Sequence, residues 1–174
     1  QHIGDLETEQ ALGAFRRAIA DFQRLYESQP AAIAADLHPD YLSTQHARAS
    51  GLPLIGVQHH LAHVLACMAD NELEPPVLGV SWDGTGYGVD GTVWGGEFFR
   101  VTGEAIERVA HFSTFRLPGG DQAVKEPRRS ALGWLFECFG PAALDRVDLA
   151  PVQAFTSAEL ATLKTMLARG LNAP

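Results

Sequence analysis

An α/β fold with a mixed sheet is predicted by two textures in the 174-residue sequence. Over about the first 76 residues, short apolar runs alternate with stretches of helical periodicity, the pattern of a largely parallel sheet layered with helices. From Val77 onward the chain becomes glycine-dense and reads as a meander of strands, then returns to helix after Pro118. No fixed-period repeat and no low-complexity tract interrupts this order.

The elements follow from spacing and punctuation. Ala11, Leu12, Phe15, Ala18, Ile19, Phe22 and Leu25 recur at helical intervals, so a helix is predicted from Thr8 to Tyr26, ended by Pro30. Ala32 to Leu37 is an apolar run of strand length, followed by a polar helix around Tyr41 to Ala49. A second strand, Pro53 to Val57, runs straight into a helix from His59 through Met68. Past Pro75-Pro76, strands are predicted over Val77 to Trp82, Glu97 to Val101 and Arg108 to Leu117. Ala123 to Phe139 is read as one helix with Trp134, Leu135 and Phe139 on its core face. Pro151 opens a last region, in which Thr156-Ser157-Ala158-Glu159 forms a capping sequence ahead of Leu160, Leu163 and Leu167.

Composition narrows the classes of function. A net charge of -8 argues against a surface built on the Lys and Arg that displace counterions from a nucleic-acid backbone, leaving only a local basic patch at Lys125, Arg128 and Arg129. Glu, Asp, Arg or Gly breaks every apolar stretch below membrane-spanning length, and no secretion-signal layout precedes the first helix. Cys67 and Cys138 are too few for a disulfide framework and are not spaced as a metal-binding pair, so both are expected as free thiols in a cytoplasmic setting.

Three segments carry candidate chemistry. In Gln58-His59-His60-Leu61-Ala62-His63, the first and last histidines stand one helical turn apart, so both imidazoles can reach one cation; hydrogen-bonded histidines at a helix start are the alternative. Two histidines do not complete a coordination shell, and further donors must come from elsewhere. Cys67 continues the same face as a possible third donor, or else is a small residue packed in the core, whereas His60 points away.

The second segment runs from Asp83 to Glu97 and contains Asp-Gly-Thr twice, immediately after an apolar strand. Gly84 and Gly86 let backbone amides approach a phosphate, Thr85 offers a hydroxyl to an oxyanion, and Asp83 at the strand end suits a metal or a nucleotide-bound cation. A plain hairpin with Asp-Gly turns is the alternative, and Asp90-Gly91 is assigned to it. Neither GxGxxG nor GxxxxGK[ST] occurs. In the third segment, Pro118-Gly119-Gly120-Asp121 before a helix offers free amides at Gly119 and Gly120 and a carboxylate at Asp121, suited to a phosphate or to sugar hydroxyls. Asp121 serves equally as a helix cap, and Lys125, Arg128 and Arg129 as a solvated face.

Together these segments resemble the hydrogenase-maturation carbamoyltransferases, the HypF family, in their domain similar to the tRNA threonylcarbamoyltransferases (Kae1-like). The likeness extends over nearly the whole chain: Gln1 to Glu7, Gln58 to His63, DGTGYG-x-DGT-x-WGGE, PGGD with Glu126-Pro127-x-Arg129, and Gly170 to Pro174. It implies an actin-like ATPase lobe of the ribonuclease H-like class, here a single partial domain over residues 1–174. It further implies that carbamoyl, activated as carbamoyl-adenylate from carbamoyl phosphate and ATP, passes to the C-terminal cysteine of a partner maturation protein of the HypE family. The partner's thiocarboxamide then yields the cyanide ligand of nickel-iron hydrogenases.

By position, the resemblance makes His59 and His63 metal ligands for a divalent cation, whether zinc, iron or magnesium. It places Asp83, Thr85 and Gly86 in the phosphate and metal environment, and Asp121 with Glu126 in the nucleoside-binding wall. The nucleophile arrives with the partner, so no catalytic nucleophile is required here, and neither nucleic acid nor membrane is expected as a partner. Because the family's remaining ligand and substrate domains lie outside Gln1 to Pro174, the isolated chain is expected not to complete the reaction and to bind nucleotide weakly. Three other readings are a tRNA threonylcarbamoyltransferase relative, a small-molecule O-carbamoyltransferase and a non-catalytic metal-binding interaction module.

Overall fold

The computed structural model describes residues 4–174, so Gln1, His2 and Ile3 of the opening motif lie outside the described residues. The chain divides into two compact units, the first ending at Phe112 and the second running from Ser113 to Pro174.

The first unit opens with α1 (Glu9–Leu25), whose cap, Thr8, accepts a hydrogen bond from the Ala11 amide. The helix ends five residues before Pro30, and none of its residues is fully buried. Next come β1 (Ile33–Asp36), α2 (Leu42–Ala49), β2 (Leu54–Val57) and α3 (His59–Asp70). β1 and β2 pair in parallel, with Asp36 in register with Val57. The predicted alternation is therefore present, and its parallel strands deliver their carboxyl ends to one place.

A three-stranded antiparallel meander follows, ordered β3 (Val77–Tyr87), β4 (Val93–Val101) and β5 (Ile106–His111). It differs from the sequence reading in one consequential way. β3 does not stop at Trp82 but continues to Tyr87, so the first Asp-Gly-Thr is strand and not turn. The ladder is offset there: between the pairs Trp82↔Gly96 and Gly86↔Trp94, the three residues Asp83 to Thr85 stand opposite Gly95 alone, a bulge. The hairpin turn is at the second Asp-Gly-Thr, as expected, where Asp90 Oδ1 accepts from the Thr92 amide (3.0 Å), the Thr92 hydroxyl (2.7 Å) and Trp94 Nε1 (3.0 Å). β4 likewise starts earlier than Glu97, and β5 ends at His111 without reaching Leu117.

α3 packs on this sheet through Val64 and Met68, which join Trp94, Phe99 and Val101 in a core. Gly79 makes the approach possible: a Cβ there would lie 2.3 Å from Val64 Cγ1. Glu97 is buried in the same layer as an ion pair with Arg108 at 2.6 Å, and the guanidinium lies 3.7 Å from the Trp94 ring centre.

In the second unit, the single helix expected from Ala123 to Phe139 is two, α4 (Asp121–Lys125) and α5 (Pro127–Phe139), because the proline ring cannot continue the preceding turn. Short segments follow, a 3-10 turn (Pro141–Asp145) and α6 (Ala150–Gln153), then α7 (Ser157–Arg169), whose Thr156/Glu159 capping box forms as expected. Gly170 ends α7 in the left-handed region, a cap the sequence reading had not assigned. The core holds Leu132, Leu135, Leu144, Val152, Leu163 and Leu167. Of the predicted face, Leu135 is buried, but Trp134 is 49% and Phe139 65% exposed. Two positions along a helix turn about 200°, which puts Trp134 opposite Leu132, and Phe139 is the last residue of α5.

Candidate functional site

Gln58 starts α3 and holds it in place. Its Oε1 accepts the Leu61 amide at 2.9 Å, while its Nε2 donates to the Tyr87 carbonyl at 3.2 Å and lies 3.2 Å from His60 Nδ1. With the helix begun at His59, the side chains of His59 and His63 share a face. The β3 bulge then brings Asp83 to them. His59 Nε2 lies 2.8 Å from Asp83 Oδ2 and 3.3 Å from His63 Nε2, and His63 Nε2 lies 3.4 Å from the same carboxylate oxygen. One ligand atom from each of the three residues falls within 4.8 Å of the others.

Two of these three separations fit a metal, while His59 and Asp83 at 2.8 Å stand in hydrogen-bond contact. Donors about 2.0–2.2 Å from a tetrahedral ion sit about 3.3–3.6 Å apart, and three protein donors leave a position for water or substrate. Cys67 does not join them and is not in the core either: its side chain is exposed. His60, as expected, turns away; it is fully buried, and burial lowers its pKa, favouring the neutral ring. Gly86 is required beside it, since a Cβ would lie 2.5 Å from His60 Cε1 and 3.0 Å from His59 Cβ. Gly84 has open space where a Cβ would project, and Thr85 is exposed next to it.

Sequence reasoning missed Asp36, at the carboxyl end of β1, whose Oδ2 lies 2.9 Å from His59 Nδ1. The signal was present: carboxyl ends of parallel strands are where such folds hold ligands. Burial alone would lower the pKa of His59, but hydrogen bonds to Asp36 and Asp83 outweigh it and raise the value. Burial likewise opposes ionisation of Asp83, yet bonds from the Gly84 amide and His59 hold its pKa below the ordinary range. Burial first, then the charges of Asp36 and Asp83, push the Tyr41 hydroxyl up.

A pH dependence follows for the metal-free chain. The His59 contribution is complete below the ordinary histidine pKa of about 6.5 and is lost as pH rises through the higher folded value. The Asp83 contribution is complete above about 3.9 and is lost as pH falls through the lower folded value. Urea unfolding with chelator present is expected to show His59-dependent stabilisation between those limits that declines toward alkaline pH. An unchanged profile in His59→Ala contradicts this.

The remaining candidates lie in the second unit. Gly119 and Gly120 have positive φ, but their amides are not free: they donate to the Asn172 carbonyl (2.8 Å) and the Leu117 carbonyl (2.9 Å). Asp121 is the exposed first residue of α4, and the cap position is Gly120, not Asp121. Glu126, at the break between α4 and α5, accepts from Gln122 Nε2 (2.6 Å) and Arg128 Nε (2.9 Å), with Arg129 Nε 3.2 Å away but not aligned as a hydrogen bond. These partners, Gln122 first, bring its pKa down to about 2. Glu126 offsets one of the three positive charges of the expected basic patch, since both arginines face it.

Comparison with known proteins first gives the class. Residues 1–70 match the family described as the HypF Kae1-like domain, and residues 79–174 match the carbamoyltransferase Kae1-like domain, second subdomain. The fold agrees: a solved structure of full-length HypF in a phosphate- and nucleotide-bound form superposes with a TM-score of 0.86 at 38% identity, covering 99% of this chain and 22% of that one. HypF of T. kodakarensis superposes with a TM-score of 0.87 at 35% identity, over 99% and 24% of the two chains. The actin-like, mixed α/β fold inferred from the sequence is thus present.

The chain belongs to the HypF carbamoyltransferase family. It is 50% identical to the carbamoyltransferase HypF of Synechocystis sp. over 141 residues, 80% of this chain and 18% of that protein. It is 40% identical to HypF of Rhodobacter capsulatus over 99% of its own length and 23% of the relative's. It spans about a fifth of the length of such relatives.

Proposed function

We propose that this chain supplies part of the nucleotide and metal site of a carbamoyltransferase acting in nickel-iron hydrogenase maturation, within one Kae1-like domain. The observation that carries the reading is the meeting of His59, His63 and Asp83 beside the bulge, in a chain of the HypF family. The nucleotide and phosphate bound by a solved relative support it.

On this reading, carbamoyl phosphate and ATP give carbamoyl-adenylate, and the C-terminal cysteine thiolate of a HypE-family partner attacks its carbamoyl carbon. A carbon–sulfur bond forms, the carbon–oxygen bond breaks and AMP leaves. His59, His63 and Asp83 hold the divalent cation; two imidazoles and one carboxylate suit zinc or iron better than magnesium. When bound, the cation offsets phosphate charge and polarises the carbamoyl oxygen. The exposed Thr85 hydroxyl receives a phosphate oxygen beside Gly84, whose own amide donates to Asp83 Oδ1 at 2.7 Å, while Gly86 keeps the bulge close to α3. Asp121 is available to sugar hydroxyls; Gly119, Gly120 and Glu126, whose polar groups are engaged internally, shape that turn. A cytoplasmic setting is part of the same proposal, and among the described residues no helix is long and apolar enough to cross a membrane.

The test is carbamoyl transfer by the parent protein to a partner peptide ending in cysteine, read by mass spectrometry. Transfer that disappears in the His59→Ala/His63→Ala parent is expected. No transfer to the peptide, together with normal tRNA modification by the same protein, contradicts the reading.

A further inference from the structure

His59 has a second partner that the carbamoyl chemistry does not use. Asp36 Oδ2 lies 2.9 Å from its Nδ1. Asp36 arrives there because β1 pairs in parallel with β2, which sets it beside Val57, two residues ahead of His59. The carboxylate is itself fixed: Oδ1 accepts the His38 amide at 2.8 Å, and the Asp36 carbonyl accepts the hydroxyl of fully buried Thr44 at 3.0 Å.

An ionised carboxylate accepts hydrogen bonds and donates none; without a cation, His59 faces one at each ring nitrogen, Asp36 at Nδ1 and Asp83 at Nε2, and either nitrogen can carry the proton. Once a cation is bound, Asp36 keeps the ring proton on Nδ1, and the other nitrogen gives its lone pair to the metal. That nitrogen is Nε2, the atom beside Asp83 and His63. The opposite tautomer would aim an N–H at the position where a cation must sit. We propose that Asp36 is a positioning residue that fixes the tautomer and direction of the His59 ring, and so sets the affinity of the His59–His63–Asp83 cluster for a divalent cation. The inference rests on the metal reading of that cluster; carboxylates behind metal-bound histidines characteristically act this way.

Asp36→Asn separates this role from a merely structural one. The asparagine oxygen can still accept the His38 amide, preserving the turn, while its NH₂ faces His59 Nδ1 and favours the wrong tautomer. Cobalt(II) affinity, followed in the visible spectrum of the 174-residue chain, is expected to fall about 10–100-fold, with circular dichroism unchanged. Long-range ¹H–¹⁵N spectra of the zinc-loaded wild type are expected to show a proton on His59 Nδ1 and none on Nε2. Wild-type affinity in D36N, or a zinc-loaded spectrum with no proton on His59 Nδ1, overturns the proposal while leaving the metal site standing. A wild type that binds no cobalt(II), or a His63→Ala variant that binds it equally well, overturns the metal reading and the affinity role of Asp36 with it.

Discussion

Replacing His59 and His63 together by alanine is expected to strip the chain of bound divalent metal while leaving its fold intact. The two rings supply two of the three clustered donors, and a lone Asp83 carboxylate, partly exposed to water, holds a transition metal only weakly. Neither ring belongs to the core that α3 forms with the sheet, which is carried by Val64 and Met68 on another face of the helix. Metal content by inductively coupled plasma mass spectrometry after dialysis is expected to fall from one ion per chain to background. Equal content in variant and wild type would remove both histidines from the ligand set.

The second large effect is on stability. Leu132 is completely buried in the core of the second unit, beside Gly133, whose absent Cβ would otherwise meet the Arg116 carbonyl oxygen at 1.9 Å. With the helix held this close to the chain, the space left by Leu132→Ala cannot collapse easily, and a cost of about 2–5 kcal/mol is expected. Trp134→Ala, on the opposite and half-exposed side of α5, is expected to cost far less. Urea midpoints of the two variants check the contrast; a larger loss for Trp134→Ala would mean that the sequence-predicted face is the buried one after all.

The physics of individual positions explains what was legible in the sequence. The His59/His63 relation depends only on helical periodicity and a start at Gln58, so spacing alone conveys it. The second Asp-Gly-Thr was legible as a turn because its geometry is local, closed by Asp90 on Thr92 and Trp94. Asp36 and Asp83 reach His59 across 23 and 24 residues through strand pairing and a bulge, which no local pattern specifies. The bulge was hidden for a related reason: Asp-Gly dipeptides signal turns, and only the pairing of β3 with β4 turns the first of them into strand. Pro127 did announce the break between α4 and α5, but apolar periodicity across it read as one helix. In the PGGD segment, glycine content suggested free amides, whereas Asn172 and Leu117 take them up.

The central claim is that His59, His63 and Asp83 bind one metal ion together. Anomalous X-ray scattering from crystals of the chain grown with zinc or iron, recorded on both sides of the metal edge, tests it directly. A single peak about 2.0–2.3 Å from His59 Nε2, His63 Nε2 and an Asp83 oxygen is the expected result. A peak coordinated by other residues, or no peak beside this cluster at saturating metal, would contradict the account.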